Sequence, residues 1–205
     1  MIGLIDYGVG NLFSLASSFA AVGTEAEIVS TPAGLRRADR LILPGVGAFR
    51  DAADKLRAAG LDTVLVEETR KGKPLLGLCL GMQMLFEKSY EYGEHEGLGL
   101  LKGSVKPIRD VIPADYKVPH IGWNALKLTR PDCPLFSGIR EGEHMYFVHS
   151  YHAADCEDSL AATTEYGGML TAAVWKDNVF GCQFHPEKSG AAGLSILRAF
   201  CGVTA

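Results

Sequence analysis

Cysteine, histidine and glutamate are the side chains whose types and spacing in this sequence amount to a nucleophilic site. Gly77-Leu78-Cys79-Leu80-Gly81 leaves an apolar run and enters Met82-Gln83-Met84-Leu85-Phe86, which reads as helix. Glycines on both sides of the cysteine permit the sharp strand-to-helix turn that lifts one side chain off a strand end. A side chain placed there lies at a helix N-terminus, where aligned peptide dipoles favour negative charge. The N–H of Leu80 then points at the same place, as a donor to an oxyanion. The plainer reading is a buried core thiol whose glycines only pack a helix on a strand.

A nucleophilic thiol needs a base, and the base needs an orienting partner. Gln183-Phe184-His185-Pro186-Glu187-Lys188-Ser189 ends another apolar run. Residues two apart in an extended chain face the same side, which predicts that His185 and Glu187 project together. Pro186 is expected to stiffen the segment and exclude a helix there. A His-x-Glu alone is more often a surface pair; the elbow cysteine gives this one its weight. An α/β-hydrolase runs nucleophile, acid, histidine along its chain, whereas here the carboxylate follows the histidine, so a serine-esterase-type enzyme is the weaker reading.

Pro44-Gly45-Val46-Gly47 follows the apolar run Leu41-Ile42-Leu43. Backbone N–H groups of Gly45, Val46 and Gly47 can approach an anion closely, as an oxyanion hole or a phosphate cradle. The phosphate-loop reading fails because no Gly-Lys-Ser/Thr follows, and Gly8-Val9-Gly10 has Phe13 where a dinucleotide fingerprint has its third glycine. His149 and His152, three apart on one strand, are expected to face opposite sides, which argues against a metal site. Trp123 reads as a core or edge aromatic, or, if exposed, as a partner contact.

These residues need a framework. In the first half of the chain, short apolar runs alternate with helical stretches: Ile2–Ile5, Asn11–Val22, Ala26–Val29, Leu41–Leu43, Phe49–Ala59 and Leu75–Leu78. Alternation of this kind predicts parallel strands with helices on both faces. From about Leu100 the pattern turns to strands at Leu101–Val105, Ile121–Leu128, Met145–Tyr151, Leu160–Thr164, Leu170–Trp175 and Val179–Phe184, with a closing helix at Ala191–Phe200. Short turns such as Asp177-Asn178 predict antiparallel pairing there, and Tyr90–Gly99 reads as a surface loop bordering a site. The expected fold is α/β, with a mixed, mostly parallel central sheet flanked by helices and antiparallel strands in the C-terminal half, all in one domain over residues 1–205.

Composition excludes several function classes. The 205 residues carry 20 basic and 24 acidic side chains for a net charge of −4, and 47% of the chain is apolar. No bulk positive field is available for nucleic acid or anionic membrane. No apolar stretch approaches the roughly 18 residues of a membrane span, and Met1-Ile2-Gly3-Leu4-Ile5-Asp6 lacks the basic start of an export signal. Five cysteines without a C-x-x-C pair suit reduced thiols rather than disulfides or zinc. The expectation is a cytoplasmic chain without metal or cofactor, in which four cysteines are bland and Cys79 reacts.

Taken together, Gly77-Leu78-Cys79-Leu80-Gly81-Met82-Gln83 and His185-Pro186-Glu187 resemble the class I, triad-type glutamine amidotransferases. Asp6-Tyr7-Gly8-Val9-Gly10-Asn11, Pro44-Gly45-Val46-Gly47, Pro119-His120-Ile121-Gly122-Trp123-Asn124, Tyr146-Phe147-Val148-His149-Ser150-Tyr151 and the trailing Lys188-Ser189 narrow the resemblance to glutaminase subunits of histidine biosynthesis, over essentially the whole chain. The resemblance implies a flavodoxin-like core and a Cys79, His185, Glu187 triad that hydrolyses L-glutamine through a thioester. It implies an oxyanion hole at Leu80 and the Gly45-Val46-Gly47 loop, with glutamine held by Gln83, Glu91 and the backbone of Ser150 and Tyr151. It also implies a heterodimer with a separate (β/α)8-barrel cyclase that receives the ammonia, faced by Asn11, Trp123, Tyr146 and Lys188. Other readings are the glutaminase of another pathway, a stand-alone γ-glutamyl hydrolase, or a non-catalytic relative that keeps the fold.

Overall fold

The computed structural model describes residues 1–204. Strands β1 (Ile2–Ile5), β2 (Ala26–Val29), β3 (Arg40–Leu43) and β4 (Leu75–Leu78) pair in parallel in the order β2-β1-β3-β4. Their connections carry α1 (Leu12–Ala21), α2 (Pro32–Arg37), α3 (Phe49–Ala58) and α4 (Asp62–Arg70), because parallel neighbours need long crossovers. Asn11 caps α1 by accepting from the Ser14 N–H at 3.2 Å. Side chains alternate across the sheet, so the apolar strands feed two cores. Leu41, Leu43 and Leu75 pack with Phe49, Leu56 and Leu65 on one face; Ile42, Leu76 and Leu78 pack with Leu15, Phe19, Leu197 and Phe200 on the other.

Beyond β4 the nine-stranded sheet continues β13 (Val179–Cys182), β12 (Met169–Lys176), β11 (Leu160–Glu165), β8 (His120–Leu128) and β9 (His144–His149). The β13 strand is the hinge of this topology, parallel to β4 and antiparallel to β12 across the Asp177-Asn178 turn. The sheet is thus mixed, parallel from β2 to β13 and antiparallel from there to β9. Helix α6 (Gly190–Gly202) closes the chain and buries Ile196, Leu197 and Phe200.

Several elements differ from the sequence-based expectation. Helices α2 and α4 are additional: α2, six residues behind a Thr31 cap with Pro32 in its first turn, is too short to show a period. Helix α4 buries Glu68 and Thr69 beside Val64 and Leu65, which blurs its apolar stripe. The helix expected through Phe86 is instead α5 (Leu80–Met84), and buried Phe86 opens β5 (Phe86–Ser89). A second sheet, ordered β10-β7-β5-β6, forms from β10 (Tyr151–Ala154), β7 (Leu101–Pro107), β5 and β6 (His95–Glu96), the last lying inside the expected Tyr90–Gly99 loop. The run expected as one strand over Met145–Tyr151 is divided: β9 pairs with β8, and after Ser150 the chain crosses to β7 as β10. The run carries no glycine, proline or turn signal, so only tertiary pairing places the break.

Candidate active site

Three adjacent parallel strands, β3, β4 and β13, end side by side, with Leu43 opposite Gly77 and Leu78 opposite Cys182. The chain leaving each C-terminal end converges on one cavity of about 350 Å³, as expected for a ligand crevice in an open α/β sheet.

Cys79 follows β4 with φ +53° and ψ −112°, conformational space that L residues rarely occupy. Its N–H donates to Cys182 O at 2.7 Å, which ties the turn to β13. The flanking glycines are required by space. A Cβ on Gly81 would fall 1.8 Å from Leu43 O, and one on Gly77 within 2.7 Å of the Met82 backbone. The elbow is the one expected, with α5 starting at Leu80, whose N–H belongs to the first turn and has no intrahelical acceptor.

His185 and Glu187 meet: the His185 Nδ1–H donates to Glu187 Oε1 at 2.9 Å, both side chains nearly fully buried. The route differs from the extended segment expected. Residues Pro186–Lys188 form a 3-10 turn in which Pro186 takes the first position, where a missing N–H costs nothing, so proline starts this turn rather than preventing it. Burial pushes the His185 imidazole down, but hydrogen bonds and charge from Cys79 and Glu187 outweigh it and raise His185 to about 9.

Val46, Gly47 and Leu80 line the cavity with Cys79 and His185. Gly45 lies behind them, where an added Cβ would come within 2.7 Å of the Gly81 nitrogen; it packs the loop onto the elbow. Tyr7, unremarked in the sequence beyond its motif, holds that loop from behind: its buried hydroxyl donates to Pro44 O at 2.7 Å. Burial first, then the nearby Cys79, pushes this hydroxyl above the usual tyrosine range.

Gln83, Glu91, Ser150 and Tyr151 also line the cavity. Glu91 reaches it from the loop and accepts from the Phe49 N–H at the start of α3, which has no side-chain cap of its own. Burial raises the Glu91 carboxyl, opposed by that N–H. His149, weighed in the sequence only as a metal ligand, is a lining residue: its Nδ1–H donates to Tyr151 O at 2.8 Å, and Nε2 lies 3.0 Å from His120 Nδ1. Among the described residues no group of three His, Cys, Asp or Glu side chains could hold a metal ion. Cys133, Cys156 and Cys182 are buried, and Cys201, half-buried on α6, donates to Leu197 O.

Trp123, Tyr146 and Lys188 form one surface cluster beside the cavity. The indole is exposed and meets the Tyr146 ring edge-on at 5.9 Å, and Lys188 Nζ lies 5.8 Å from the same ring while lining the cavity mouth. Asn11 is exposed at the start of α1 and spends its side-chain oxygen on the cap.

The sequence pattern of the family described as "Glutamine amidotransferase class-I" matches residues 3–202. The chain is 46% identical over 205 residues to the imidazole glycerol phosphate synthase subunit HisH of Wolinella succinogenes, covering 99% of this chain and all of that one. It is 50% identical over 203 residues to the subunit of the same name from Bacillus licheniformis, covering 98% and 95%. Two solved structures share the fold. One, described as a glutamine amidotransferase, superposes with a TM-score of 0.76 at 21% identity over 98% of this chain and 99% of its own; the other, PurLQS from Thermotoga maritima, gives 0.75 at 20% over 98% and 96%. A family pattern over nearly every residue, and near-half identity from end to end, make this chain a member of the class I glutamine amidotransferases.

Proposed function

We infer that this chain is the glutaminase subunit of imidazole glycerol phosphate synthase, acting as one domain. The observation that carries the reading is the convergence of Cys79 with a His185 already paired to Glu187, in a cavity also lined by Gln83 and Glu91. Cys79 Sγ attacks the side-chain amide carbon of glutamine, and the negative charge that develops on the amide oxygen is met by the Leu80 N–H and an N–H of the Val46-Gly47 segment. His185, carrying a proton at neutral pH, gives it to the departing ammonia and then draws one from water as water cleaves the thioester to glutamate. Glu187 keeps Nε2 of His185 aimed at the sulfur by occupying Nδ1. The Glu91 carboxylate and Gln83 hold the glutamine ammonium and carboxylate end, with Ser150 and Tyr151 backbone beside them.

Ammonia released into bulk water is protonated and lost to the acceptor reaction, so release against a docked partner serves the chemistry. The reading assigns that partner as a separate (β/α)8-barrel cyclase in a cytoplasmic heterodimer, seated on the Trp123, Tyr146 and Lys188 cluster with Asn11. No helix among the described residues is long and apolar enough to cross a membrane. The test is a reconstitution: the complex releases glutamate and forms imidazole glycerol phosphate from glutamine, whereas Cys79→Ala forms it only from added ammonium salt. Full glutamine turnover by the isolated chain, indifferent to the cyclase, would instead identify a stand-alone hydrolase.

A further inference from the structure

The mechanism above leaves one fully buried polar side chain at the site without a task. Gln183 follows β13, and the pairing of Cys182 with Leu78 sets it next to Cys79. Its Oε1 accepts from Gln83 Nε2 at 2.9 Å, and its Nε2 lies 3.7 Å from Cys79 Sγ.

Chemistry fixes the direction of these bonds. Gln83 Nε2 also donates to Tyr151 O at 3.0 Å. A carbonyl oxygen only accepts, so Gln83 must turn its NH2 toward that corner. Both of its N–H groups are then used, one on Tyr151 O and one on Gln183 Oε1. Gln183, with its oxygen committed to Gln83, must present its NH2 to the sulfur. Reversing the amide would set oxygen against the sulfur and two NH2 groups against each other. The corner is held from behind, because Tyr151 O also accepts from His149 Nδ1.

We propose that Gln183 is a further catalytic residue of this site, donating a hydrogen bond from Nε2 to the Cys79 sulfur while its Oε1 holds the Gln83 amide in the orientation that leaves Gln83 Oε1 free for substrate. The donor favours anionic sulfur, which is the form that attacks glutamine and the form that leaves when the thioester is hydrolysed. The proposal rests on the glutaminase reading for its substrate, but the contact with the sulfur can be tested without glutamine.

Gln183→Glu keeps an oxygen toward Gln83 and removes the N–H at the sulfur; Gln183→Met, near in shape and uncharged, removes both contacts. The charged and titratable groups facing the sulfur, His185 with Glu187 behind it, His149 and Tyr7, are unchanged in Gln183→Met, whereas Gln183→Glu adds a carboxylate of its own against the sulfur, so the Met variant isolates the lost N–H. Alkylation of Cys79 by iodoacetamide, followed across pH on the Cys79 peptide by mass spectrometry, is expected to reach half its maximal rate at higher pH in both variants and to slow about tenfold at neutral pH. In the reconstituted complex, Gln183→Glu is expected to lower kcat about tenfold with KM within about twofold, while Gln183→Met lowers kcat and also raises KM. Alkylation profiles that superpose on the unsubstituted chain in the Met variant, with circular dichroism unchanged, would overturn the proposal. If the unsubstituted complex released no glutamate, the glutaminase reading would fall and the alkylation shift would still decide the Gln183 contact.

Discussion

The cavity has two unlike walls. One, from the turns after β3 and β4, is lined by Val46, Gly47, Leu80 and Cys79, the proposed nucleophile. The other, from the ends of β9 and β13 and the start of β10, presents His149, Ser150, Tyr151 and His185, with Glu187 paired to His185 and Gln183 paired to Gln83. The same contrast runs through the molecule. Of the buried polar or charged side chains, Glu68 and Thr69 precede Cys79 and sit on α4; the others, from Gln83 to Ser189, belong to the later part of the chain. At the turns after β3 and β4 geometry is fixed by steric exclusion, where a Cβ on Gly45, Gly77 or Gly81 cannot fit. At the ends of β9 and β13 it is fixed by hydrogen-bond matching, where the wrong partner leaves a buried group unpaired.

Substitutions can break that contrast from either side. The largest effect is expected at the nucleophile on the first wall. Cys79→Ala should reduce glutamate release by at least about 10⁴-fold while the protein stays folded and still binds its partner, read by enzyme-coupled glutamate assay and gel filtration. Next comes the polar wall. Glu187→Gln swaps the acceptor at His185 Nδ1 for an amide that cannot hold the same tautomer, and kcat should fall on the order of 10²–10⁴-fold with little change in the urea midpoint.

Gly81→Ala probes the first wall for stability instead. A methyl group 1.8 Å from Leu43 O forces β3 and the elbow apart, so unfolding free energy should drop by about 3 kcal/mol or more in urea titrations. An unchanged midpoint would mean that steric exclusion does not set this wall.

The smallest effect concerns His152, buried on β10 with neither ring nitrogen hydrogen-bonded. Burial, partly opposed by the Asp110 carboxylate, pushes its imidazole down to about 4 from an ordinary value of 6.5. A group whose folded value is depressed binds its proton more readily when unfolded, so the stability it contributes is present above about pH 6.5 and lost as pH falls through 4. The expected loss is on the order of 2–3 kcal/mol, and His152→Leu should flatten this acid limb in urea midpoints measured from pH 7 to pH 4.

How far the sequence could be read follows the same division. The elbow was legible because glycine spacing, an apolar strand and a following helix are all local. The strands β1 to β4 and the span of α1 were legible for the same reason. Helix α4 and the strand-like Phe86 were not, since buried Glu68 and Thr69 mask one apolar stripe and a lone phenylalanine suits either element. The break between β9 and β10 was invisible because Met145–Tyr151 has no glycine, proline or turn signal inside it, and a strand-forming run does not say with which sheet it pairs. His185 and Glu187 were identified correctly as a pair but for the wrong local reason, the 3-10 turn doing what an extended segment was expected to do.

By itself, then, the sequence determined the residue types, their local turns and the alternating framework of an α/β sheet, because those depend on sterics and periodicity within a few residues. Which side chains face one another was decided by the tertiary structure. The adjacency of Cys79 and Gln183, 104 positions apart, exists because β13 returns to lie parallel beside β4. The orientation of both glutamine amides exists because a carbonyl from a second sheet, Tyr151 O, takes one N–H of Gln83 and leaves the other for Gln183 Oε1. Such pairings are settled by strand register and by the cost of an unpaired buried polar group, and neither is written in any single stretch of the chain.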